Sequence, residues 1–474
     1  VKAGGIELGT RHALVVRVAA MSILVAAAAS LIAPATVFAH ELTERYAAPL
    51  PLIAYLAAAA LAVAISFAFI ILRNAPTPAE PARGRARAVP GWLRGLLGAV
   101  GLIAWLWIVA QTIVGGAGDG DVASLFLWVY GWVALPLVSA FIGPAWAWID
   151  PFTTLHAALG WVGRRLGISG AEPADYPARL GRWPAVLGFA VVVWIELVGH
   201  VQGGRTLGLV LIAYTLITLA AMSYFGRETW RSRGEIFSVW LGLVGRIAPI
   251  ELDGEPEAGL VRRRPFAAGL LATRWTTDEV VLVALATGAI IFDGLSQTQQ
   301  YFDLFISTGA FGVPVVRDTI TAVVFLGLVI AMVLAVVRRL GTAALGAGLL
   351  PVAIGYLIAH YLTYLLVDGQ RLIFAMNDPL LRGDNLLPLD LSAFEPTLFL
   401  PTAIVWTIQL AAVVGGHIVG AWAGHAALMR TEKRERTGPL RQLPLAALMV
   451  VLTTITLWSL GQTVLIETVA AAAR

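Results

Sequence analysis

The chain contains no cysteine, which excludes a disulfide framework and any thiolate metal site. A bound metal would have to rest on His, Asp, Glu or Tyr. Charge is also scarce: 13% of the 474 residues are charged against 58% hydrophobic, and mean hydropathy is +0.81. A soluble domain carries about 25% charged residues and cannot hide this much apolar surface in one core, so lipid must solvate much of the chain. The alternation and turn spacing of a membrane barrel are missing, as is an internal repeat of the kind that marks inverted-repeat transporters. The net charge of +4 does not indicate nucleic acid. The arginines sit in short connections between apolar runs, where they act as topology signals.

What is present is a succession of apolar runs. Ten are long enough, or nearly so, to cross a hydrocarbon core of about 30 Å as helices. They lie near 48–72, 93–114, 125–143, 184–200, 207–225, 280–297, 319–337, 343–367, 402–428 and 443–467. The expected fold class is all-α, a polytopic transmembrane bundle of about ten helices. Ahead of them, Lys2, Arg11 and Arg17, an apolar stretch and Val37-Phe38-Ala39 read as a secretory signal. This predicts a signal peptide over 1–39, a transmembrane domain over 40–474 and His40 as the first mature residue. Lys and Arg number 23 in one alternating set of connections and six in the other. That asymmetry places the first set in the cytoplasm and both mature termini outside. Residues 235–250, with Trp240 and Arg246, read as a helix along the membrane surface. The outer connection 368–401, with Asp368, Asp378, Asp384, Asp390 and Glu395, reads as a lid or a plain ordered loop.

Ionisable residues inside spans are the most informative feature, because each costs several kcal/mol unless paired, hydrated or metal-bound. Glu196 and His200 lie four apart and are expected on one helical face. Asp293, followed by Gly294, ends its span. His360 and Tyr364 are again four apart, with Asp368 one turn beyond. His417 lies near mid-membrane with Gln409 about two turns away, and His425 lies deeper, where headgroups or helix-end carbonyls are its expected partners. His156 falls in an amphipathic cytoplasmic segment. Each has a structural reading as well: a hydrogen-bonded Glu–His pair, a helix-capping Asp, a satisfied core histidine. If the two helices start level, His360 and His417 differ in depth by about 12 Å, so a common site needs a tilt or a lower start.

His40-Glu41-Leu42, Arg45 and Pro49-Leu50-Pro51 resemble the opening pattern of a family of bacterial membrane proteins known as fenitrothion hydrolases. Ile291-Phe292-Asp293-Gly294, Ala359-His360-Tyr361 and Gln409 with His417 are similar to further motifs of that family, in the same order, between residues 40 and 428. Glu41, Asp150 and Ala426 depart from its pattern. The resemblance implies hydrolysis of an apolar organophosphorus triester at the bond between its aryl oxygen and phosphorus, a divalent metal (zinc, manganese or cobalt) and a paired membrane subunit. On the residues themselves, Asp293, His360 and His417 are the expected metal ligands, with His200 and His40 as further ligands. Glu196 or Asp368 is the expected base. Two other classes stay open. A mature N-terminal His40 offers amine and ring nitrogen to copper, and intramembrane Asp and His also suit a transporter.

Overall fold

In a computed structural model of the chain, the described residues run from 84 to 460, apart from 117, 119, 168–171, 202, 273, 388, 392–393 and 432–441. The expected signal, His40 and the run at 48–72 lie outside them. The described chain is mostly helical. Its principal helices are α1 (Gly91–Val114), α2 (Val122–Phe141), α3 (Pro151–Arg165), α4 (Trp183–Leu197), α5 (Gly204–Phe225), α6 (Arg227–Arg233) and α7 (Ile236–Val244). They continue as α8 (Thr277–Ser296), α9 (Pro314–Leu340), α10 (Thr342–Asp368), α11 (Leu372–Asn377), α12 (Thr402–Thr431) and α13 (Leu443–Leu460). Seven of these segments, α1, α2, α5, α8, α9, α10 and α12, are long and apolar enough to cross a membrane; α4 and α13 are shorter apolar helices. The chain therefore has the character of a polytopic helical membrane protein.

The chain divides into two compact units, one of residues 81–269 with 361–399, the other of residues 270–360 with 400–474 and 1–80. In the 81–269 unit, a Cβ at Gly101 would lie 1.7 Å from the Ile149 carbonyl oxygen, and one at Gly208 would lie 1.9 Å from Thr112 Oγ1. Only glycine lets the α1 backbone come so close to that of Ile149, and α5 so close to the Thr112 side chain. Aromatic rings fill the centre, with Trp132 stacked on Phe189 at 4.9 Å and Phe152 edge-on to Tyr214 at 5.5 Å. Residues 125–134 are π-helical.

Two expectations are corrected in this unit. The helix expected along the membrane surface is α7, and Ile236, Phe237, Val239, Trp240, Leu241, Leu243 and Val244 are all buried. Apolar residues on every side of so short a helix leave it no polar face for water, so it packs inside the unit. Glu196 and His200 do not share a helical face. α4 stops at Leu197, and His200 sits exposed beyond Gly199 in the left-handed region at φ 48°. The 368–401 connection is fastened to the C-terminal end of α1. Trp107 Nε1 and Gln111 Nε2 donate to the Pro379 carbonyl at 2.8 and 3.1 Å, and Arg382 Nε donates to Val114 O at 2.8 Å.

In the 270–360 unit, α8 starts at a reciprocal cap formed by Thr276 and Glu279 and is buried over almost its whole length. The crossing of α10 with α12 is glycine-lined. A Cβ at Gly355 would meet Ala412 O at 2.5 Å, one at Gly416 would meet Pro351 O at 2.6 Å, and one at Gly420 would meet Gly348 O at 2.3 Å. Residues 412, 416, 420 and 424 recur every fourth position, the small-residue stripe that brings membrane helices into backbone contact. This seam sets the register of the polar residues on the two helices.

Candidate functional site

Asp293 lies in the last turn of α8 and His360 near the C-terminal third of α10, and they meet: His360 Nε2 is 2.8 Å from Asp293 Oδ2, each side chain 15% exposed. The second carboxylate oxygen, Oδ1, accepts a hydrogen bond from Gln297 Nε2 at 2.8 Å. A bond from a ring nitrogen to a carboxylate needs the proton on that nitrogen, so Nε2 carries hydrogen. In the neutral ring, Nδ1 then holds the lone pair. Gly294 makes room for the pair, since a Cβ there would stand 2.9 Å from Ser459 Oγ and 3.4 Å from His360 Cε1.

His417 is held elsewhere in the same unit. It is fully buried, and its Nδ1 donates to the Val413 carbonyl at 2.7 Å, which leaves Nε2 as an acceptor. That nitrogen faces the Thr453 hydroxyl and the Tyr356 hydroxyl, the latter at 3.3 Å. Gln409 Nε2 donates to Ala359 O at 2.8 Å, so Gln409 is level with His360. His417, eight residues further, is therefore about 12 Å away along the axis at 1.5 Å per residue. The depth difference read from sequence persists because the glycine seam, with Gly416 against Pro351, admits no slip of α12.

A metal ion fits these residues poorly. Among the described residues no group of three or more His, Asp and Glu could hold one. Asp293 and His360 provide two donors, whereas zinc sites use at least three protein ligands. His417 Nε2 is committed to hydroxyls.

The remaining expected residues are dispersed. Asp368 pairs with Arg371 Nε at 3.0 Å, three residues on, near the end of α10. His425 Nδ1 lies 3.0 Å from Gln442 Oε1, a side-chain partner in place of the expected headgroup or helix-end carbonyl. Glu196 is half-buried on α4. His40 lies outside the described residues.

A buried charged cluster in the 81–269 unit escaped the sequence reading. Asp150 caps α3 through the backbone N–H groups of Phe152 and Thr153 and the Thr153 hydroxyl, and its Oδ2 is 3.3 Å from Arg231 Nε. Glu235 caps α7, accepting from Phe237 N at 3.0 Å, Ser238 N at 2.6 Å, the Tyr214 hydroxyl at 2.5 Å and Trp146 Nε1 at 3.3 Å. Burial raises both carboxyls above their ordinary values, and for Glu235 the Asp150 charge adds to it. Asp150-Pro151, an N-cap followed by proline at the first helical position, was the available signal.

Set beside known proteins, the chain matches no family model, no curated protein and no solved structure. The site therefore has to be read from its own geometry.

Proposed function

We propose that the chain is a multi-pass inner-membrane hydrolase whose working group is the Asp293–His360 pair, acting on an apolar ester of the organophosphorus triester class. The observation that carries this reading is the 2.8 Å contact between His360 Nε2 and Asp293 Oδ2. The substrate class comes from the resemblance to fenitrothion hydrolases. The orientation follows the arginine asymmetry, with both mature termini and the Asp293–His360 layer on the periplasmic side.

On this reading, His360 takes a proton from water at Nδ1, the hydroxide bonds to phosphorus, and the bond between phosphorus and the aryloxy oxygen breaks. The aryloxide leaves and recovers the proton from His360. Asp293 holds the ring in the tautomer that leaves Nδ1 basic and stabilises the imidazolium that forms. General-base catalysis of this kind contributes on the order of 10²–10⁴-fold. An apolar triester concentrates in the bilayer, so a base near the end of α8 meets it where it dissolves.

A second reading, proton-linked transport, is favoured by one observation. His417, Tyr356 and Thr453 form a wholly buried polar cluster on helices of the same unit, and Tyr356 lies one turn of α10 from His360. Purified protein in vesicles separates the two. Release of the phenol from an apolar aryl phosphorothioate, lost in His360→Gln, supports the hydrolase. Substrate flux without product supports transport.

A further inference from the structure

The α3 helix and the junction of α5 with α6 enclose an open cleft of about 590 Å³, lined among others by His156, Gly160, Arg164, Phe225, Arg227 and Glu228. Cationic groups outnumber anionic ones on its walls. The Glu228 carboxylate pairs with Arg227 Nε at 3.1 Å and with Arg231 Nη1 at 3.2 Å, and Arg231 also has Asp150 as a partner, so the excess positive charge of the walls is that of Arg164. Burial and the Arg227 charge both push the His156 ring below its ordinary value, as expected for a site that already carries positive charge.

Three independent features place lipid beside this cleft. Phe225 is the last residue of α5, a segment of 22 residues and spanning length, so the cleft opens at the level where hydrocarbon ends. The neighbouring Tyr224 is exposed, in the belt where amphipathic rings sit. On α3, Leu159 and Val162, with Leu166 just past its end, follow one another at helical spacing on one face and are 57%, 44% and 70% exposed. The Arg165 guanidinium lies 5.2 Å over the Trp161 ring. A helix with such a face and basic residues in its last turn lies in the interface plane. The cleft thus combines a cationic wall with an adjoining face made for acyl chains.

We propose that this cleft is a binding site for an anionic phospholipid, with the headgroup phosphate between Arg164 and Arg227 and the apolar face of α3 in the adjoining acyl layer. The inference rests on the membrane character of the chain and is independent of the reaction assigned to Asp293 and His360. A basic residue near a membrane surface contributes about fivefold per anionic lipid contact, so losing both arginines weakens binding by on the order of 25-fold.

The test is native mass spectrometry of the full chain in detergent, titrated with phosphatidylglycerol or with phosphatidylcholine. Three variants accompany the unaltered chain: Arg164→Gln/Arg227→Gln, Gly160→Trp to fill the cleft, and Arg338→Gln/Arg339→Gln, which removes the same charge at the end of α9. The expected result is selective retention of phosphatidylglycerol, lost in the first two variants, kept in the third and undisturbed by millimolar inorganic phosphate. Equal retention by the unaltered chain and by a correctly folded cleft variant overturns the proposal. So does equal loss in the α9 variant, which would signify bulk attraction. Displacement by inorganic phosphate assigns the cleft to a free anion and overturns the lipid assignment as well.

Discussion

Replacing Arg231 by Met exposes the energetics of the 81–269 unit. The Arg231 and Asp150 side chains are 7% and 1% exposed and 3.3 Å apart. Removing the guanidinium leaves a buried carboxylate without its cation, a change that costs about 3–5 kcal/mol. The lower end is expected, because Asp150 keeps the Phe152 N–H at 2.8 Å and the Thr153 hydroxyl at 2.6 Å. Glu228, which also loses a partner, is 36% exposed and retains Arg227, so it adds little. The second half of the prediction is recovery. Asp150→Asn on the Arg231→Met background removes the stranded charge yet keeps an acceptor for the helix cap, and should restore stability to within about 1.5 kcal/mol of the parent. The pH dependence has a definite sign. In the single variant the folded carboxyl is raised, so the folded state binds a proton that the unfolded state does not. Stability then falls as pH rises above the ordinary Asp value of 3.8 and recovers on acidification towards it. Unfolding in detergent, followed by tryptophan fluorescence, measures all three quantities. A single-variant loss below about 1 kcal/mol, or a double variant no better than the single, refutes the reasoning.

Two other perturbations follow from the packing and a topology test from the charge asymmetry. Gly420→Ala places a Cβ 2.3 Å from the Gly348 carbonyl oxygen, so α10 and α12 must part; a loss of about 2 kcal/mol or more in thermal unfolding is expected, with Gly415→Ala, open on that side, near neutral. Thr453→Val removes a hydroxyl from buried His417 and should cost about 1–3 kcal/mol in the same measurement. A phosphatase reporter fused after Arg264 should be silent and a cytoplasmic reporter active; phosphatase activity there reverses the proposed orientation.

The apolar runs were legible in the sequence because twenty residues of hydrocarbon leave an unmistakable signal. Every run from 93 onward contains a helix that covers most of its described residues. The cost of burying charge pointed to Asp293 and His360 on separate helices, and they are in contact. What failed had local causes. Gly199 ended α4 before His200 could extend its face. α7 looked like a surface helix because residues 235–250 alternate apolar and polar at helical spacing, with Trp240 at the middle of the helix and Arg246 beyond its end, yet Glu235 anchors it inward through four donors contributed from α5, the segment before α3 and α7 itself. The partners of His417 were invisible because Thr453 and Tyr356 are 36 and 61 residues away. Hydroxyls within apolar runs carry no sequence mark of their role. The Asp150–Arg231 pair was hidden for the same reason, each half reading as an ordinary charge in a basic connection.

The role proposed for Asp293 is to make His360 a base, and a single comparison of rates examines it. The rate of phenolate release from an apolar aryl phosphorothioate triester is measured for purified chain and for Asp293→Asn, each with and without a strong chelator. A fall of at least about 10²-fold is expected in the variant, with unchanged folding and no effect of chelator on the parent. A variant as fast as the parent, or a parent silenced by chelator and restored by zinc, contradicts it.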